Sequence, residues 1–137
     1  MDFLDTNIIV YANDRRDKQK QKRCIELIAH GLQTRQATVS TQVFFEYANI
    51  ALLKLGQSAA VVRRQIELLS SLHVVPQSAA LAIRAVEIKE LYGISFWDAS
   101  IVAAAEAGRC SRILSEDMNV GQLYCGIRLV NPLVSDF

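Results

Sequence analysis

Apolar and polar residues alternate along the chain in a pattern that divides it into short strands and longer helices. Phe3-Leu4 is a very short apolar strand, and the capping residues Asp5-Thr6-Asn7 follow it and lead into an apolar helical segment. The same criteria predict further strands at residues 38–39, 73–75, 113–114 and 127–130.

Apolar residues at helical spacing fill most of the intervals between these strands. They predict helices over about residues 17–32, 41–55, 58–69, 78–92 and 96–107. Glycines stand close to most of the predicted helix ends: Gly31, Gly56, Gly93 and Gly108. The segment around Asp117, between the last two strands, is predicted as a loop. Strands that alternate with helices are typical of an α/β fold, and we predict a three-layer α/β/α sandwich with a mainly parallel central sheet.

The composition is that of one globular domain over residues 1–137. Apolar residues make up 51% of the chain and charged residues 21%, so a core can form without disulfides or a structural metal. Cys24, Cys110 and Cys125 contain no Cys-x-x-Cys pair, which favours free thiols in a reducing compartment. Neither a signal peptide nor an apolar stretch of membrane-spanning length is apparent. We therefore expect a cytoplasmic protein with no membrane partner.

The net charge of +1 means that any nucleic acid must be held by a local basic patch. Residues 15–23 carry six basic side chains beside the crevice of the first strand, and this run is the candidate RNA patch. Such a run is also typical of a solvated helix face. Arg63 and Arg64 are a second candidate.

Four acidic residues occur where a predicted strand has just ended or the following helix begins. They are Asp5, Glu46, Asp98 and Asp117. In open α/β sheets, ligand sites form in the crevice beyond the carboxyl ends of the strands, where residues far apart in sequence meet. We therefore expect these four side chains at one rim of the sheet.

Each acid also has a purely structural explanation. Asp5 is a suitable helix cap, and Asp98 completes a capping box with Ser95. Asp117 suits a turn. Glu46 is harder to explain in this way, because its neighbours at helical spacing are apolar and an unpaired buried carboxylate is energetically costly.

A shared divalent cation accounts for the four acids together, because carboxylates drawn into one place repel one another unless a positive charge offsets them. Hard oxygen ligands suit Mg²⁺ or Mn²⁺, and no His or Cys cluster offers a zinc or iron site. Such an ion polarises a phosphodiester oxygen and lowers the pKa of a bound water. The pattern therefore indicates metal-dependent hydrolysis of a phosphodiester.

Four short motifs, in this order and at these spacings, resemble the PIN domain family and specifically the VapC-type toxins of toxin–antitoxin pairs. The motifs are Phe-Leu-Asp5-Thr6-Asn7, Phe-Phe-Glu46-Tyr-Ala, Phe-Trp-Asp98-Ala and Leu-Ser115-Glu-Asp117-Met, and the resemblance covers essentially the whole chain. It implies an endonuclease that cleaves single-stranded or structured RNA with Mg²⁺ or Mn²⁺. It also implies inhibition by a small cognate antitoxin protein, and a homodimer.

By position, the resemblance implies that Asp5 and Asp98 are the main metal ligands. Glu46 would be a further ligand or the group that orients the attacking water, and Asp117 the fourth acid. Three neighbouring polar residues would orient these carboxylates through hydrogen bonds: Thr6, Asn7 and Ser115. Members of this family also act in RNA processing without being toxins, and a nuclease of that kind is the alternative.

Two other classes of function compete with this interpretation. Receiver domains and haloacid dehalogenase-like phosphatases also place Mg²⁺-binding acids at the carboxyl ends of parallel strands, but with more than one acid after the first strand. Asp5 is instead followed by Thr6 and Asn7. A non-catalytic RNA- or protein-binding module would use the acids only as caps. No glycine-rich phosphate loop follows a strand, so no nucleotide cofactor is expected.

Overall fold

The computed structural model describes residues 1–134 and has an α/β fold. Its strands are β1 (Asp2–Leu4), β2 (Ala37–Ser40), β3 (His73–Val75), β4 (Arg112–Leu114), β5 (Leu123–Tyr124) and β6 (Ile127–Val130). Its helices are α1 (Thr6–Ala12), α2 (Lys18–Thr34), α3 (Thr41–Leu53), α4 (Ala59–Leu69), α5 (Ala79–Tyr92) and α6 (Phe96–Ala107).

The strands form one sheet in the order β3-β2-β1-β4-β6-β5. Neighbouring strands are parallel except for β5, which pairs antiparallel with β6. From β1 the chain passes outward through β2 and β3, and it then returns to pair β4 with the other edge of β1. The β1–β4 pair is therefore the topological switch point, where the crevice of an open α/β sheet lies. The predicted mainly parallel α/β fold is confirmed.

The sheet is buried because the helices that connect parallel strands cover both of its faces. Every residue of β2 is buried. Helix α6 is buried continuously from Ala99 to Ala105, as its almost wholly apolar composition indicates. Among residues 1–134, no helix combines the length and the apolar character needed to cross a membrane.

Helix starts follow the sequence signals. Ser40, Ser58, Ser78 and Ser95 are the N-caps of α3, α4, α5 and α6, and each side chain accepts a hydrogen bond from a backbone N–H three residues later. Gly93 ends α5 with a φ of 67°, a left-handed conformation that glycine adopts without strain. Local capping chemistry therefore defines most of these boundaries.

Gly31 stands close to the predicted end of α2 at about residue 32, but the helix runs two residues further, to Thr34. The glycine lies inside the helix and is buried. A Cβ at this position would lie 2.6 Å from the Cβ of Ala37 in β2, far closer than two carbon atoms can approach. Gly31 therefore permits close contact between α2 and the sheet.

The segment between β4 and β6 is also more ordered than predicted, because it contains β5. A strand of two residues, Leu123 and Tyr124, is too short to show an alternating pattern. The turn that joins it to β6 consists of Cys125 and Gly126, both with positive φ, 53° and 78°. Two successive left-handed residues are what a tight hairpin requires.

Candidate active site

Asp5 lies at the point where β1 ends and α1 begins. It is the N-cap of α1, and its Oδ1 accepts a hydrogen bond from the backbone N–H of Thr6 at 2.7 Å. Its own backbone N–H donates to the carbonyl of Leu114 at 3.1 Å, which joins the ends of β1 and β4. The residue is only 7% exposed. Asp5 is thus a helix cap and also a buried carboxylate at the switch point.

Ser115 and Asn7 connect Asp5 to Asp117. Ser115 Oγ donates to Asp5 Oδ2 at 2.7 Å and accepts from the backbone N–H of Asp117 at 3.1 Å. The amide of Asn7 donates to Ser115 Oγ at 3.1 Å and to Asp117 Oδ2 at 3.0 Å. These bonds hold the exposed Asp117 carboxylate beside the buried one, so the loop after β4 is fixed where it meets α1.

Glu46 reaches the crevice from α3. Its Oε1 accepts a hydrogen bond from Thr6 Oγ1 at 2.7 Å and another from Gln42 Nε2 at 3.3 Å. The side chain is half-buried rather than enclosed, and these donors are neutral. The sequence predicted a hydrogen-bonding partner for Glu46 because its neighbours are apolar. The structure supplies two, the hydroxyl of Thr6 and the amide of Gln42.

Asp98 lies in the first turn of α6. Its backbone N–H donates to Ser95 Oγ at 3.1 Å, which is the Ser95 half of the predicted capping box. Its half-buried carboxylate lines the same pocket as Asp5, Glu46 and Asp117, a pocket of about 370 Å³. The structure therefore brings all four predicted acids to one crevice at the carboxyl edge of the sheet.

Gln42 is a residue of this pocket that the sequence analysis missed. It is 4% exposed, and its Nε2 donates both to Glu46 and to the backbone carbonyl of Trp97 at 3.2 Å. Gln42 thereby connects α3 to the start of α6. Its Oε1 is buried without a hydrogen-bond partner in the part of the chain that the structure describes. The i, i+4 spacing between Gln42 and Glu46 was the available signal.

Burial raises the pKa of Asp5 to about 6. The hydrogen bonds from Ser115 and Thr6 lower this pKa, whereas the negative charges of Glu46 and Asp117 raise it further. The carboxyl group therefore lies where its charged form is disfavoured unless a cation is near. A strongly shifted acid in a crevice is typical of functional sites.

The oxygen donors of this pocket fit a hydrated divalent ion. Among residues 1–134, no three or more His, Cys, Asp or Glu side chains are arranged so that together they could hold a metal ion. Mg²⁺ does not need three such ligands, because it binds through one or two carboxylates and keeps several water ligands. Gln42, whose buried Oε1 has no hydrogen-bond partner within residues 1–134, lines the same pocket. The donor chemistry therefore suits a hard, partly hydrated cation.

A family model, that of the PIN domain, matches residues 3–124. The chain belongs to the PIN domain family. The matched range includes all four acids of the pocket and all the residues that hydrogen-bond to them. No curated protein sequence matches this PIN domain.

Solved structures similar to this PIN domain include the following three. VapC20 of Mycobacterium tuberculosis, a toxin described as cleaving the Sarcin-Ricin loop, has a TM-score of 0.70 at 22% identity, over 85% of this chain and 90% of that one. FitAcB of Neisseria gonorrhoeae has a TM-score of 0.69 at 19% identity, and the match covers 98% of this chain and 100% of that one. A toxin–antitoxin complex from Klebsiella pneumoniae has a TM-score of 0.66 at 21% identity, and the match covers 96% of this chain and 98% of that one. At these identities the likeness establishes the fold.

The basic run at residues 15–23 contributes to several surfaces of this PIN domain, and Arg15, Lys18 and Lys22 line one pocket away from the acids. Lys20 Nζ donates to Glu116 Oε1 at 2.9 Å, and Arg23 Nε donates to the carbonyl of Pro132 at 3.1 Å. Arg16 pairs with Asp14 and lines the acid-bearing pocket. The run is therefore divided by the start of α2 into residues at the pocket and residues away from it.

Proposed function

We propose that this chain is an endoribonuclease that hydrolyses RNA phosphodiester bonds with the help of Mg²⁺ or Mn²⁺. The observation that carries the proposal is the buried Asp5 carboxylate, which has a raised pKa and shares one crevice with Glu46, Asp98 and Asp117. A PIN domain in which every one of these acids is present has the groups that such chemistry needs.

Asp5 and Asp98 would hold the divalent ion, and the ion would supply charge stabilisation at the phosphodiester and a lowered pKa for a bound water. Thr6 and Gln42 orient Glu46 through hydrogen bonds, and its carboxylate would accept a proton from the attacking water. Asp117, fixed by Asn7, would add negative charge to the same site.

We further propose that the ribonuclease is the toxin of a toxin–antitoxin pair and that it forms a homodimer. The toxin VapC20 and the toxin–antitoxin complex among its structural neighbours support the first part. Large apolar side chains that remain exposed on α3 and α5 support the second part, because such surface is typical of protein interfaces: Phe45, Leu53, Ile83 and Leu91. Light scattering of the purified chain tests dimerisation, and toxin function predicts growth arrest on induction.

The decisive test is RNA cleavage by Asp5→Asn and Asp98→Asn, which keep side-chain shape and remove charge. We expect each variant to lose at least about 100-fold in rate, the scale on which ligand loss affects metal sites. Asp17→Asn is the matched control, because Asp17 caps α2 outside the pocket and Asn caps equally well. Wild-type rates in either site variant, or an unchanged rate with EDTA, would refute the proposal.

Metal binding can be measured separately from activity. Trp97 is the only tryptophan in the chain and lines the pocket beside Asp98, so its emission reports on what enters the pocket. Titration with Mn²⁺ should quench Trp97 in the wild type and in Asp17→Asn, and weakly or not at all in Asp98→Asn.

A further inference from the structure

A second pocket of about 360 Å³ adjoins the one that contains the acids. Three residues line both pockets, so the two form one continuous depression: Asp14, Arg16 and Lys54. One wall of the second pocket is the connection between α1 and α2, and the other is the connection between α3 and α4. We call this second pocket the basic groove.

The charge of the depression changes sign along its length. The first pocket contains Asp5, Glu46, Asp98 and Asp117 in addition to the three residues that line both pockets, so its acids outnumber its bases by five to two. The basic groove contains Arg15, Arg16 and Lys54 against a single acid, Asp14. A polyanion whose reacting phosphate lies at a metal among the acids would therefore meet positive charge where its chain extends from the first pocket into the basic groove.

Arg16 is held in a defined orientation. Its Nε and Nη2 donate to the two carboxylate oxygens of Asp14, each at 2.9 Å, and its backbone N–H donates to Asp14 Oδ1 at 3.0 Å. Asp14 is buried, whereas the Arg16 side chain is 75% exposed. The guanidinium is thus fixed on one side and presents its remaining donors to solvent, which lowers the entropy cost of gripping a phosphate.

The walls of the basic groove are tied together by a short chain of hydrogen bonds. Gln57 Nε2 donates to Asn13 Oδ1 at 2.9 Å, and Tyr47 Oη donates to Gln57 Oε1 at 2.7 Å. Asn13 in turn donates to the carbonyl of Ile9 in α1 at 2.9 Å. These bonds join the two connections across the floor, so the width of the groove is set by the fold.

From this geometry we infer that the basic groove binds the phosphate backbone of the RNA strand on one side of the cleaved bond, through Arg15, Arg16 and Lys54. The inference rests on the proposed ribonuclease function and names the surface by which the substrate is held. Phosphates repeat along a strand, so a fixed groove with several cations suits them. Within the basic run, Arg15 and Arg16 are thus the residues that contact RNA. Lys54, which follows the last residue of α3, contacts it with them.

The test is RNA binding by Arg15→Gln/Lys54→Gln in an Asp98→Asn background, where the substrate is not consumed. Fluorescein-labelled oligouridylates of about 4 and about 12 nucleotides serve as probes, since single-strand sites span lengths in this range. Lys18→Gln/Lys22→Gln is the matched control, because it removes equal charge from the same run outside both pockets.

For the long probe, we expect Arg15→Gln/Lys54→Gln to weaken binding about tenfold and to lower the slope of log affinity against log salt by about 1.4, for two lost phosphate contacts. The short probe should bind within about twofold of wild type, because it need not reach the groove. The control pair should behave as wild type with both probes.

Equal losses of RNA affinity in the two double variants, or no loss in either, would overturn the inference about the basic groove. Cleavage of RNA by the wild type would in that case still support the proposed ribonuclease function. If the wild type neither binds nor cleaves RNA, the proposed function fails and the groove fails with it. Preferential binding of a polyglutamate peptide through Arg15 and Lys54 would assign the groove to an acidic protein partner and would also overturn the inference.

Discussion

Ser115 donates a hydrogen bond of 2.7 Å to the buried carboxylate of Asp5, across 110 positions of sequence. The bond joins the residue after β4 to the residue after β1, at the switch point of the sheet. The same hydroxyl accepts bonds from Asn7 and from the backbone of Asp117. Ser115 is therefore the centre of the network that positions two of the four acids.

Replacing Ser115 by Ala should raise the pKa of Asp5 further, because the Ser115 hydrogen bond lowers it. If catalysis requires ionised Asp5, the acidic limb of the pH–rate profile moves to higher pH. Rates at several pH values and at one Mg²⁺ concentration below saturation measure this shift, because saturating metal would displace the proton from Asp5. Ser111→Ala, at the exposed opposite end of β4, is the control and should keep the wild-type profile. A lower rate with an unmoved profile would mean that Ser115 acts only on structure.

Within the crevice, Asp5 should make the largest contribution to the pH dependence of the free energy of unfolding in metal-free buffer. Its pKa is about 6 in the folded chain, whereas the ordinary value for an aspartate is 3.8, so the folded state binds the proton more tightly. Stability is therefore lost as pH rises through this window and is not regained above it. For this residue alone the loss is roughly 2–3 kcal/mol, from the linkage of pKa to free energy.

Asp5→Asn should remove this loss, since Asn retains an acceptor for the N–H of Thr6 and carries no charge. Urea unfolding in EDTA at a series of pH values should show the stability of Asp5→Asn rising relative to wild type between about pH 4 and about pH 6. Added Mg²⁺ should then stabilise only the wild type. A variant that is less stable at neutral pH would favour the capping role of Asp5.

Gln42→Met should lower activity by about 10- to 100-fold, the range for residues that support ligands. Met has a similar length and volume, but it leaves Glu46 and the carbonyl of Trp97 without the amide donor. Gln42→Glu keeps an acceptor at the unpartnered position but adds charge beside Glu46, and it should also be impaired. Gln65→Met, on α4 outside the pocket, is the control. Wild-type kcat in Gln42→Met would contradict a positioning role.

Gly31→Ala should destabilise the fold by about 1–3 kcal/mol, a usual cost of overpacking, although Ala is the better helix former. The added methyl would meet the Cβ of Ala37. Ala37→Gly should relieve the clash, so the double variant should be more stable than the sum of the single changes predicts. Urea unfolding of the four proteins measures this coupling. Additive changes would show that the contact does not limit the approach of α2 to β2.

Local signals in the sequence determined most of the secondary structure. Ser58, Ser78 and Ser95 begin their helices as predicted, because a capping side chain satisfies backbone N–H groups of its own turn. The alternation of strands and helices likewise determined the parallel α/β fold, since parallel strands need crossover connections. From that fold alone, the acids after successive strands could be expected at one edge, although their catalytic role stays a prediction.

Tertiary structure alone decided the features that depend on distance between remote residues. Gly31 stands near a predicted helix end in sequence, and only the structure shows that it is a packing contact, because Ala37 of β2 lies against it. Gln42 carries no motif, and its role follows from the approach of Trp97 at the start of α6. The basic run is one stretch in sequence, but the turn before α2 leaves Arg16 at the pocket and directs Lys20 to Glu116. Sequence patterns encode the periodicity of each element and its caps, whereas which side chains meet across elements is set by packing of the whole chain.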